Sequence, residues 1–365
     1  MKQNTTYKQT ELGLIPEDWE VKKLGEVIKL GNGKDYKHLN SGNIPVYGTG
    51  GIITYVDKYL FNGKSVGIGR KGSIDKPVLL DGKFWTVDTL FYVKEFFNSD
   101  IDFIYNSFLK IPWLKYNEAT GLPSLSQNII NNLKIPLPPL PEQKKIADCL
   151  STWDVAIEKQ SALINALTQR KKALMQQLLT GKKRLPGFSG EWKEVKLGSL
   201  CKVTTGKLDA NAMVENGIYR FYTCAKDYYL INEYKFDTEA LLISGNGANV
   251  GYIHYYKGKF NAYQRTYVLD KFKEDIFFIK YFLDYFLSQR ISNEKKEGNT
   301  PYIVLSTLTE MSIKLPSLSE QTSIAEILAT ADRELQLQKE KLAQLQTQKK
   351  GLMQVLLTGK KRLIN

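Results

Sequence analysis

The block Leu-Leu-Thr-Gly-Lys-Lys-Arg-Leu occurs twice in this chain, at residues 178–185 and again at residues 356–363. It ends a longer match in which residues 142–185 align without a gap with residues 320–363, and 22 of the 44 aligned positions are identical. A match of this length indicates an internal duplication. The chain is therefore predicted to consist of two copies of one unit.

The duplicated segment is predicted to be a long helix in both copies. Its apolar residues recur at alternating spacings of four and three, which is the seam pattern of a coiled coil. The seam positions are Ile146, Leu150, Trp153, Ile157, Gln160, Ile164, Leu167, Lys171, Leu174 and Leu178 in the first copy, and Ile324, Leu328, Ala331, Leu335, Gln338, Leu342, Leu345, Lys349, Leu352 and Leu356 in the second. For either helix alone, an ordinary amphipathic core helix stays open as an alternative.

The two helices are expected to pair with each other in antiparallel orientation, because each leaves one globular domain and returns to the other. Glu142 and Glu320 mark the expected starts, and Gly181 and Gly359 the expected stops. The second copy of the repeat ends at the position at which the first copy leads into the second domain. The C-terminus is therefore expected near the start of the first domain.

The sequence outside these helices predicts two α+β domains, in which short β-type runs alternate with Gly, Asn and Asp turns. The predicted strands are 52–55, 78–80, 90–93, 241–243 and 252–256, and the predicted helices are 102–108 and 276–287. The predicted architecture is a first domain (1–138), a central repeated helix and linker (139–189), a second domain (190–316) and a C-terminal repeated helix (317–365). The fold class is thus two α+β domains separated by two long antiparallel coiled-coil helices, with a pseudo-twofold internal repeat.

Composition narrows the class of protein. With 51 Lys and Arg against 38 Asp and Glu, the chain carries a formal charge of +13, so a polyanion is expected as partner, nucleic acid ahead of a membrane. Cys149, Cys201 and Cys224 form no Cys-x-x-Cys pair, and the only histidines are His38 and His254. A disulfide framework, a metal centre and a Ser-His-Asp triad are therefore not expected. The N-terminus lacks the apolar core of a signal peptide, so a reducing cytoplasm is expected.

Two dense basic clusters, at residues 182–184 and 360–362, follow the repeated helices. One interpretation is that they neutralise the helix C-termini, where cations are favourable. The other is that they contact phosphate groups. The sequence leaves both interpretations open.

No catalytic motif is complete. Residues 67–72 read Gly-Ile-Gly-Arg-Lys-Gly, the spacing of a dinucleotide-binding loop, but the Ser-Ile-Asp-Lys-Pro that follows does not favour the helix that such a loop requires. Residues 299–302, Asn-Thr-Pro-Tyr, resemble the catalytic loop of adenine methyltransferases but lack its second-position proline. The chain is therefore predicted to be a non-enzyme without a cofactor of its own.

Glycine-rich loops in both domains instead carry side chains of the types that hydrogen-bond to base edges. Small neighbouring residues would let the backbone approach a DNA groove closely. The candidate DNA-binding residues are Tyr47, Thr49, Arg70, Lys71 and Ser73 in the first domain, and Tyr222, Thr223, Asn246, Asn249 and Arg265 in the second. The alternative for any one of these residues is a plain glycine turn within a β domain.

Two variable domains alternating with two repeated helices resemble the specificity subunit of a Type I restriction–modification enzyme. The resemblance spans essentially the whole chain and lies in the duplicated architecture more than in any one motif. It is carried by Trp19, Leu24-Gly25, Tyr47-Gly48-Thr49-Gly50-Gly51, Gly69-Arg70-Lys71-Gly72-Ser73 and Pro138-Pro139-Leu140-Pro141-Glu142-Gln143, and in the second copy by Ser244-Gly245-Asn246-Gly247, Gln264-Arg265-Thr266 and Pro316-Ser317-Leu318-Ser319-Glu320-Gln321. Ser317 and Ser319 depart from the first copy, where prolines stand.

This resemblance implies one target-recognition domain for each half of a bipartite, non-palindromic double-stranded DNA site. It implies that the helices fix the gap between the half-sites and bind two modification subunits, which would carry S-adenosylmethionine and methylate adenine, and that restriction subunits join through them. The positions expected to serve partner binding are Ile146, Leu150, Ile157, Ile324, Leu328 and Leu335. A DNA-modifying enzyme with its own catalytic site, or a coiled-coil scaffold, are the alternatives.

Overall fold

The computed structural model describes residues 6–294 and 302–363. The chain forms two compact units, one of residues 1–161 and 340–365 and the other of residues 162–339. Each unit therefore contains one globular domain, one half of the first long helix and the opposite half of the second. We describe the two units separately.

The first unit is built mainly on antiparallel strands, with one parallel pair between β5 and β10, and its longer domain helix lies late in the domain, which agrees with the predicted α+β class. Its strands are β1 (Tyr7–Thr10), β2 (Gly13–Pro16), β3 (Glu20–Lys23), β4 (Ile28–Asn32), β5 (Ser41–Gly48), β6 (Gly51–Val56), β7 (Phe61–Asn62), β8 (Ser65–Gly69), β9 (Val78–Leu80), β10 (Lys83–Thr86), β11 (Leu90–Phe96) and β12 (Lys134–Leu137). Its helices are α1 (Leu24–Val27), α2 (Ile101–Lys110), α3 (Gln127–Asn132) and the first part of α4 (Leu140–Leu178), with a 3-10 turn at Trp113–Tyr116.

These strands form two four-stranded sheets, in the orders β6-β5-β10-β7 and β4-β11-β8-β9, and two small pairs, β1-β2 and β12-β3. The main core packs around Trp19, Phe103 and Phe108, which are fully buried. Ile146 and Leu150 of α4 belong to the same core. The domain is thus folded directly onto the start of the long helix.

The second unit repeats this plan with a more continuous sheet. Its strands are β13 (Lys193–Lys196), β14 (Lys202–Thr205), β15 (Tyr219–Tyr222), β16 (Tyr229–Ile231), β17 (Phe236–Ser244), β18 (Ile253–Ala262), β19 (Thr266–Asp270) and β20 (Ser312–Leu315). Its helices are α5 (Leu197–Leu200), α6 (Ile276–Glu294), α7 (Leu305–Thr309) and the first part of α8 (Leu318–Leu356), with a 3-10 turn at Ala210–Ala212. Six strands lie in the order β14-β19-β17-β18-β15-β16, and β13 pairs with β20.

The predicted elements are present in both domains. The five predicted strands fall on β6, β9, β11, β17 and β18, and the two predicted helices fall on α2 and α6. Both domain helices begin at an aspartate that caps the free backbone N–H groups of the first turn, since Asp100 accepts from Phe103 N at 2.9 Å and Asp275 from Phe278 N at 2.9 Å.

The repeated segments are helices of 39 residues each, which confirms the main prediction from the repeat. Gly181 and Gly359 both adopt φ +70°, the left-handed conformation that favours glycine just beyond a helix. The helices start two residues before the expected Glu142 and Glu320. Helix boundaries are commonly uncertain by that margin.

Ion pairs in both units show that α4 and α8 are antiparallel, as predicted. In the first unit Lys349 of α8 pairs with Asp154 of α4, and in the second unit Lys171 of α4 pairs with Asp332 of α8. The early half of each helix therefore lies beside the late half of the other. The two pairs are copies of one another at the repeat offset, so the two lysines of the predicted seam have equivalent partners.

The end of each long helix is fastened to the start of the other. Arg362 binds the carboxylate of Glu142, and Arg184 binds that of Glu320. The arginines and lysines of the two basic clusters therefore differ in environment. The arginines form structural ion pairs, whereas the lysines are exposed: Lys182, Lys183, Lys360 and Lys361. Arg362 also binds Asp18. The segment around Arg362 therefore lies near the start of the first domain, as expected.

Candidate nucleic-acid interface

In the first domain, two glycine-rich loops converge. The β5–β6 turn carries Thr49, and the loop after β8 carries Arg70, Lys71 and Ser73. A β-carbon placed on Gly72 would lie 3.4 Å from the Thr49 hydroxyl, so the loops are in close proximity. Gly72 itself has φ +90°, a conformation that the glycine tolerates without strain.

The backbone holds the second of these loops firmly. The N–H groups of Arg70 and Lys71 both donate to the Thr89 carbonyl, at 2.8 and 3.3 Å, and the Arg70 carbonyl accepts from Leu125 N at 2.9 Å. The side chains of Arg70 and Lys71 are exposed, and the Arg70 guanidinium lies 5.9 Å from the ring centre of Phe91. The segment around Leu125, which the sequence analysis did not single out, forms part of this surface.

In the second domain, Cys224 links the corresponding loops. Its thiol donates to the Asn246 side-chain carbonyl at 3.1 Å, and its backbone carbonyl accepts from the Asn249 amide at 3.0 Å. The Arg265 carbonyl accepts from Gly245 N at 2.8 Å. Three predicted residues, Asn246, Asn249 and Arg265, are thus brought together on one surface. Cys224 was considered in the sequence only as a possible metal or disulfide residue.

The tyrosines among the candidates lie deeper than the loops they adjoin. Tyr222 is 2% exposed and Thr223 is 6% exposed, so both side chains support the surface from beneath. Tyr47 is half-buried and packs edge-on against Phe84, with ring centroids 6.3 Å apart. Burial is also the main cause that raises the pKa of the Tyr222 hydroxyl. Neither tyrosine projects freely as a base-stacking group.

An arginine that the sequence analysis missed lies beside this surface. The Arg220 guanidinium lies 4.3 Å from the ring centre of Tyr228 and 4.5 Å from that of Tyr256, and it donates to the Tyr222 hydroxyl at 3.4 Å. Residues two apart in a strand lie on the same face of the sheet, so the spacing of Arg220 and Tyr222 in β15 could have identified Arg220 from the sequence.

His254 connects this aromatic cluster to the loop that carries Cys224. Its Nε2 lies 3.0 Å from the Ala225 carbonyl, and its ring centre lies 5.0 Å from that of Tyr222. Burial lowers the pKa of His254, and the hydrogen bond to Ala225 opposes that shift. A neutral imidazole with its proton on Nε2 fits this contact, since the carbonyl can only accept.

The residues expected to bind partner subunits lie mainly inside the chain's own cores. Ile146, Leu150, Ile324 and Leu328 are at most 1% exposed, and Leu335 is 8% exposed. Ile157 is half-buried. These side chains therefore stabilise each unit, and any partner would contact the outer faces of α4 and α8.

Within the described part of the chain, no three His, Cys, Asp or Glu side chains come together as a metal-binding group. The described helices also include none that is long and apolar enough to cross a membrane. No helix follows β8 before α2, so residues 67–72 lack the helix that a dinucleotide loop requires. Residues 299–301 of the methyltransferase-like motif lie outside the described residues.

Comparison with known proteins identifies the family. The sequence profile described as the Type I restriction modification DNA specificity domain matches residues 16–169 and 189–347. The chain belongs to this family. The two matched segments correspond to the two copies of the repeat, so the resemblance inferred from the duplicated architecture is confirmed.

Relatives of this specificity family match the chain to different extents. The Type I restriction enzyme EcoDI specificity subunit of Escherichia coli is 45% identical over 171 residues, which cover 46% of this chain and 37% of that protein. The MjaVIII specificity subunit of Methanocaldococcus jannaschii is 27% identical over 418 aligned positions, which cover 96% of this chain and 95% of that protein. These relatives are named as specificity subunits, which agrees with the family profile.

Solved structures support the fold. The S subunit of the Type I restriction–modification system from M. genitalium superposes with a TM-score of 0.65 at 18% identity, covering 98% of this chain and 97% of that one. A second structure, described as the structural basis of complex assembly and conformational transition of the type I system, gives a TM-score of 0.60 at 17% identity. At these identities the likeness concerns the fold, two α+β domains with two long helices.

Proposed function

We propose that the chain is the specificity subunit of a Type I restriction–modification complex and that each domain recognises one half of a bipartite double-stranded DNA site. The observation that carries this proposal is the pair of unlike loop surfaces at equivalent places of the repeat. Arg70 and Lys71 stand where the second domain has Gly245 and Asn246, because the backbone of Arg70 bonds to Thr89 and Leu125 as that of Gly245 bonds to Arg265 and Ile303. Because the two surfaces offer different hydrogen-bonding groups, the two half-sites differ and the complete site is non-palindromic.

The chemistry of these loops fits base recognition in the major groove. Arginine pairs bidentately with guanine, asparagine with adenine, and serine or threonine with either base. The overall charge of +13 adds attraction to the phosphate backbone that does not depend on sequence. The exposed Lys182, Lys183, Lys360 and Lys361 are placed to contribute to that attraction.

The proposal includes the partners that the sequence suggested. Two modification subunits would bind the repeated helices, hold S-adenosylmethionine and methylate adenine, and restriction subunits would join the same complex. Three cysteines, all free, suit the reducing cytoplasm in which such a complex would act. The recognition subunit itself would bind no cofactor.

A methylation assay tests this proposal against an enzyme with its own catalytic site. The purified chain should transfer no methyl group from labelled S-adenosylmethionine to DNA, and the same chain with its modification subunits should do so. Mapping the methylated adenines should give one two-part, non-palindromic motif. Methyl transfer by the chain alone would contradict the non-catalytic role, and methylation without sequence preference would favour a scaffold.

Substitution in the loops tests which residues read bases. Arg70→Ala or Asn246→Ala should relax the motif at one position in one half-site, at a cost of about 1–3 kcal/mol in discrimination. The other half-site serves as the internal control, because its loops are unchanged. A loss that is equal for all DNA sequences would identify these side chains as phosphate contacts.

A further inference from the structure

The Arg220 side chain of β15 is held in an unusually defined position. Tyr228 and Tyr256 flank its guanidinium at 4.3 and 4.5 Å, and one of its N–H groups donates to the Tyr222 hydroxyl at 3.4 Å. A guanidinium is planar and carries five N–H donors in a rigid fork. With one donor directed to Tyr222, others remain for a ligand.

In the described part of the chain, this guanidinium forms no ion pair with a carboxylate. Its contacts are the Tyr222 hydroxyl, which accepts from it, and the rings of Tyr228 and Tyr256. Tyr228 is 46% exposed, so one wall of the cluster is open to solvent. A fixed, unpaired and accessible guanidinium is suited to a bidentate acceptor, such as the O6 and N7 atoms of guanine.

Arg220 is also adjacent to the loops of the proposed interface. It is two residues before Tyr222 on the same face of β15, which places it about 7 Å along the strand. Tyr222 packs against His254, and His254 contacts Ala225 in the loop that holds Asn246 and Asn249 through Cys224. The cluster and the loops are therefore connected through the buried Tyr222 and through His254.

The first domain lacks this group. Val87 N donates to the Tyr47 carbonyl as Tyr263 N donates to the Tyr222 carbonyl, so Tyr47 and Tyr222 are equivalent. Two residues before Tyr47 stands Pro45, where the second domain has Arg220. A proline side chain cannot donate a hydrogen bond, and this recognition element is therefore particular to the second domain.

We propose that Arg220 is a specificity-determining residue that reads a guanine in the half-site bound by the second domain, with Tyr228 and Tyr256 as positioning residues. This inference rests on the proposed function. It assigns a guanine to the half-site bound by the second domain, and the loop residues alone do not provide that assignment.

The test uses the complete complex of the chain with its modification subunits, wild type or carrying Arg220→Gln or Arg220→Lys. Methylation is measured on DNA libraries in which every position of the motif is varied. Both variants should lose about 10- to 100-fold of the preference for guanine at one position of the second half-site. Discrimination in the first half-site should be unchanged, which shows that the chain is still folded and assembled.

A second pair of variants separates recognition from a structural role. Tyr228→Phe keeps the ring beside Arg220 and should keep the guanine preference, whereas Tyr228→Leu should weaken the preference at the same position as Arg220→Gln. A uniform loss over all sequences would show that Arg220 contacts phosphate, and an unchanged motif would show that it contacts no base. Either result overturns the inference about Arg220 and leaves the proposed function unaffected. The proposed function fails only if the wild-type complex selects no two-part motif.

Discussion

Arg362 and Glu142, 220 residues apart in the chain, form a bidentate ion pair with N–O distances of 2.8 and 2.7 Å. Glu142 is 4% exposed and also accepts from the Trp19 indole at 2.9 Å. Arg184 and Glu320 repeat the arrangement in the second unit. These contacts explain why both copies of the repeat have a glutamate at the start and an arginine at the end.

We predict that Glu142→Gln destabilises the first unit by about 1.5–3 kcal/mol, because it weakens the charge-assisted hydrogen bonds to the largely buried Arg362, which keeps Asp18 as its other carboxylate partner. Urea unfolding of the full chain, followed by circular dichroism, measures this loss. Glu158→Gln is the matched control, since Glu158 is exposed on the same helix. A loss no larger than that of the control would show that the pair contributes nothing measurable.

We predict a smaller loss for Glu320→Gln in the second unit. Glu320 binds Arg184, but the equivalent tryptophan does not reach it, because the buried Trp192 Nε1 has no hydrogen-bond partner within the described residues. Arg362 keeps Asp18 as a partner in Glu142→Gln, so a double-mutant cycle with Trp19→Phe is needed to isolate the indole hydrogen bond. A coupling of zero would mean that this bond adds no stability.

The ion pair of Lys349 and Asp154 should fix the pairing of the helices in the first unit. Lys349 is 8% exposed and stands in the apolar seam, where a polar residue specifies register. Lys349→Asp should cost at least about 1 kcal/mol, and adding Asp154→Lys should restore most of it. A double-mutant cycle of unfolding measures the coupling. Lys350→Asp, at an exposed neighbouring position, is the control. If the charge-swapped double variant does not regain stability, the pair does not fix the pairing of the helices.

The helices were predictable because their signals are local and repeated. Seam spacing and the glycine stops both lie within one continuous segment, and each occurs twice. The junctions were not predictable in the same way, since Arg362 finds its partner 220 residues away and nothing near Arg362 in the sequence identifies Glu142. The sequence therefore left the basic clusters open between structural pairs and phosphate contacts.

The loops of the candidate site could be predicted from the sequence, whereas the side chains beneath and beside those loops could not. Glycine punctuation located the turns, and the structure brings Asn246, Asn249 and Arg265 together. Tyr222 was predicted as a DNA-binding residue, but its position in β15 turns the ring into the core. Arg220 escaped notice because its environment is made by β15, β18 and the segment before β16, which are separate in sequence.

The pKa of His254 makes the second unit sensitive to acid. Burial keeps this pKa below the ordinary value of about 6.5, so the unfolded chain binds a proton at a pH where the folded chain does not. The free energy of unfolding should therefore fall as pH drops below about 6.5, until the lowered pKa is reached. His254→Gln, which can keep a hydrogen bond to Ala225, should remove that part of the pH dependence. Urea unfolding between pH 5 and 8 measures it, with the exposed His38→Gln as control; an unchanged slope in His254→Gln would contradict the assignment.

The long helices provide a test of the proposed spacing between half-sites. The ion pairs of the two units follow one register, and at that register residues 159–165 of α4 correspond to residues 338–344 of α8. Deleting both stretches removes one heptad from each helix and keeps the seam in phase. Each helix shortens by about 10 Å, equivalent to roughly three base pairs. The methylated motif should keep both half-sites and lose about three base pairs from the gap. Deletion from one helix alone is the control, because it puts facing residues out of register and should reduce stability. If the matched deletion changed the recognised bases and left the gap unchanged, the helices would not set the spacing.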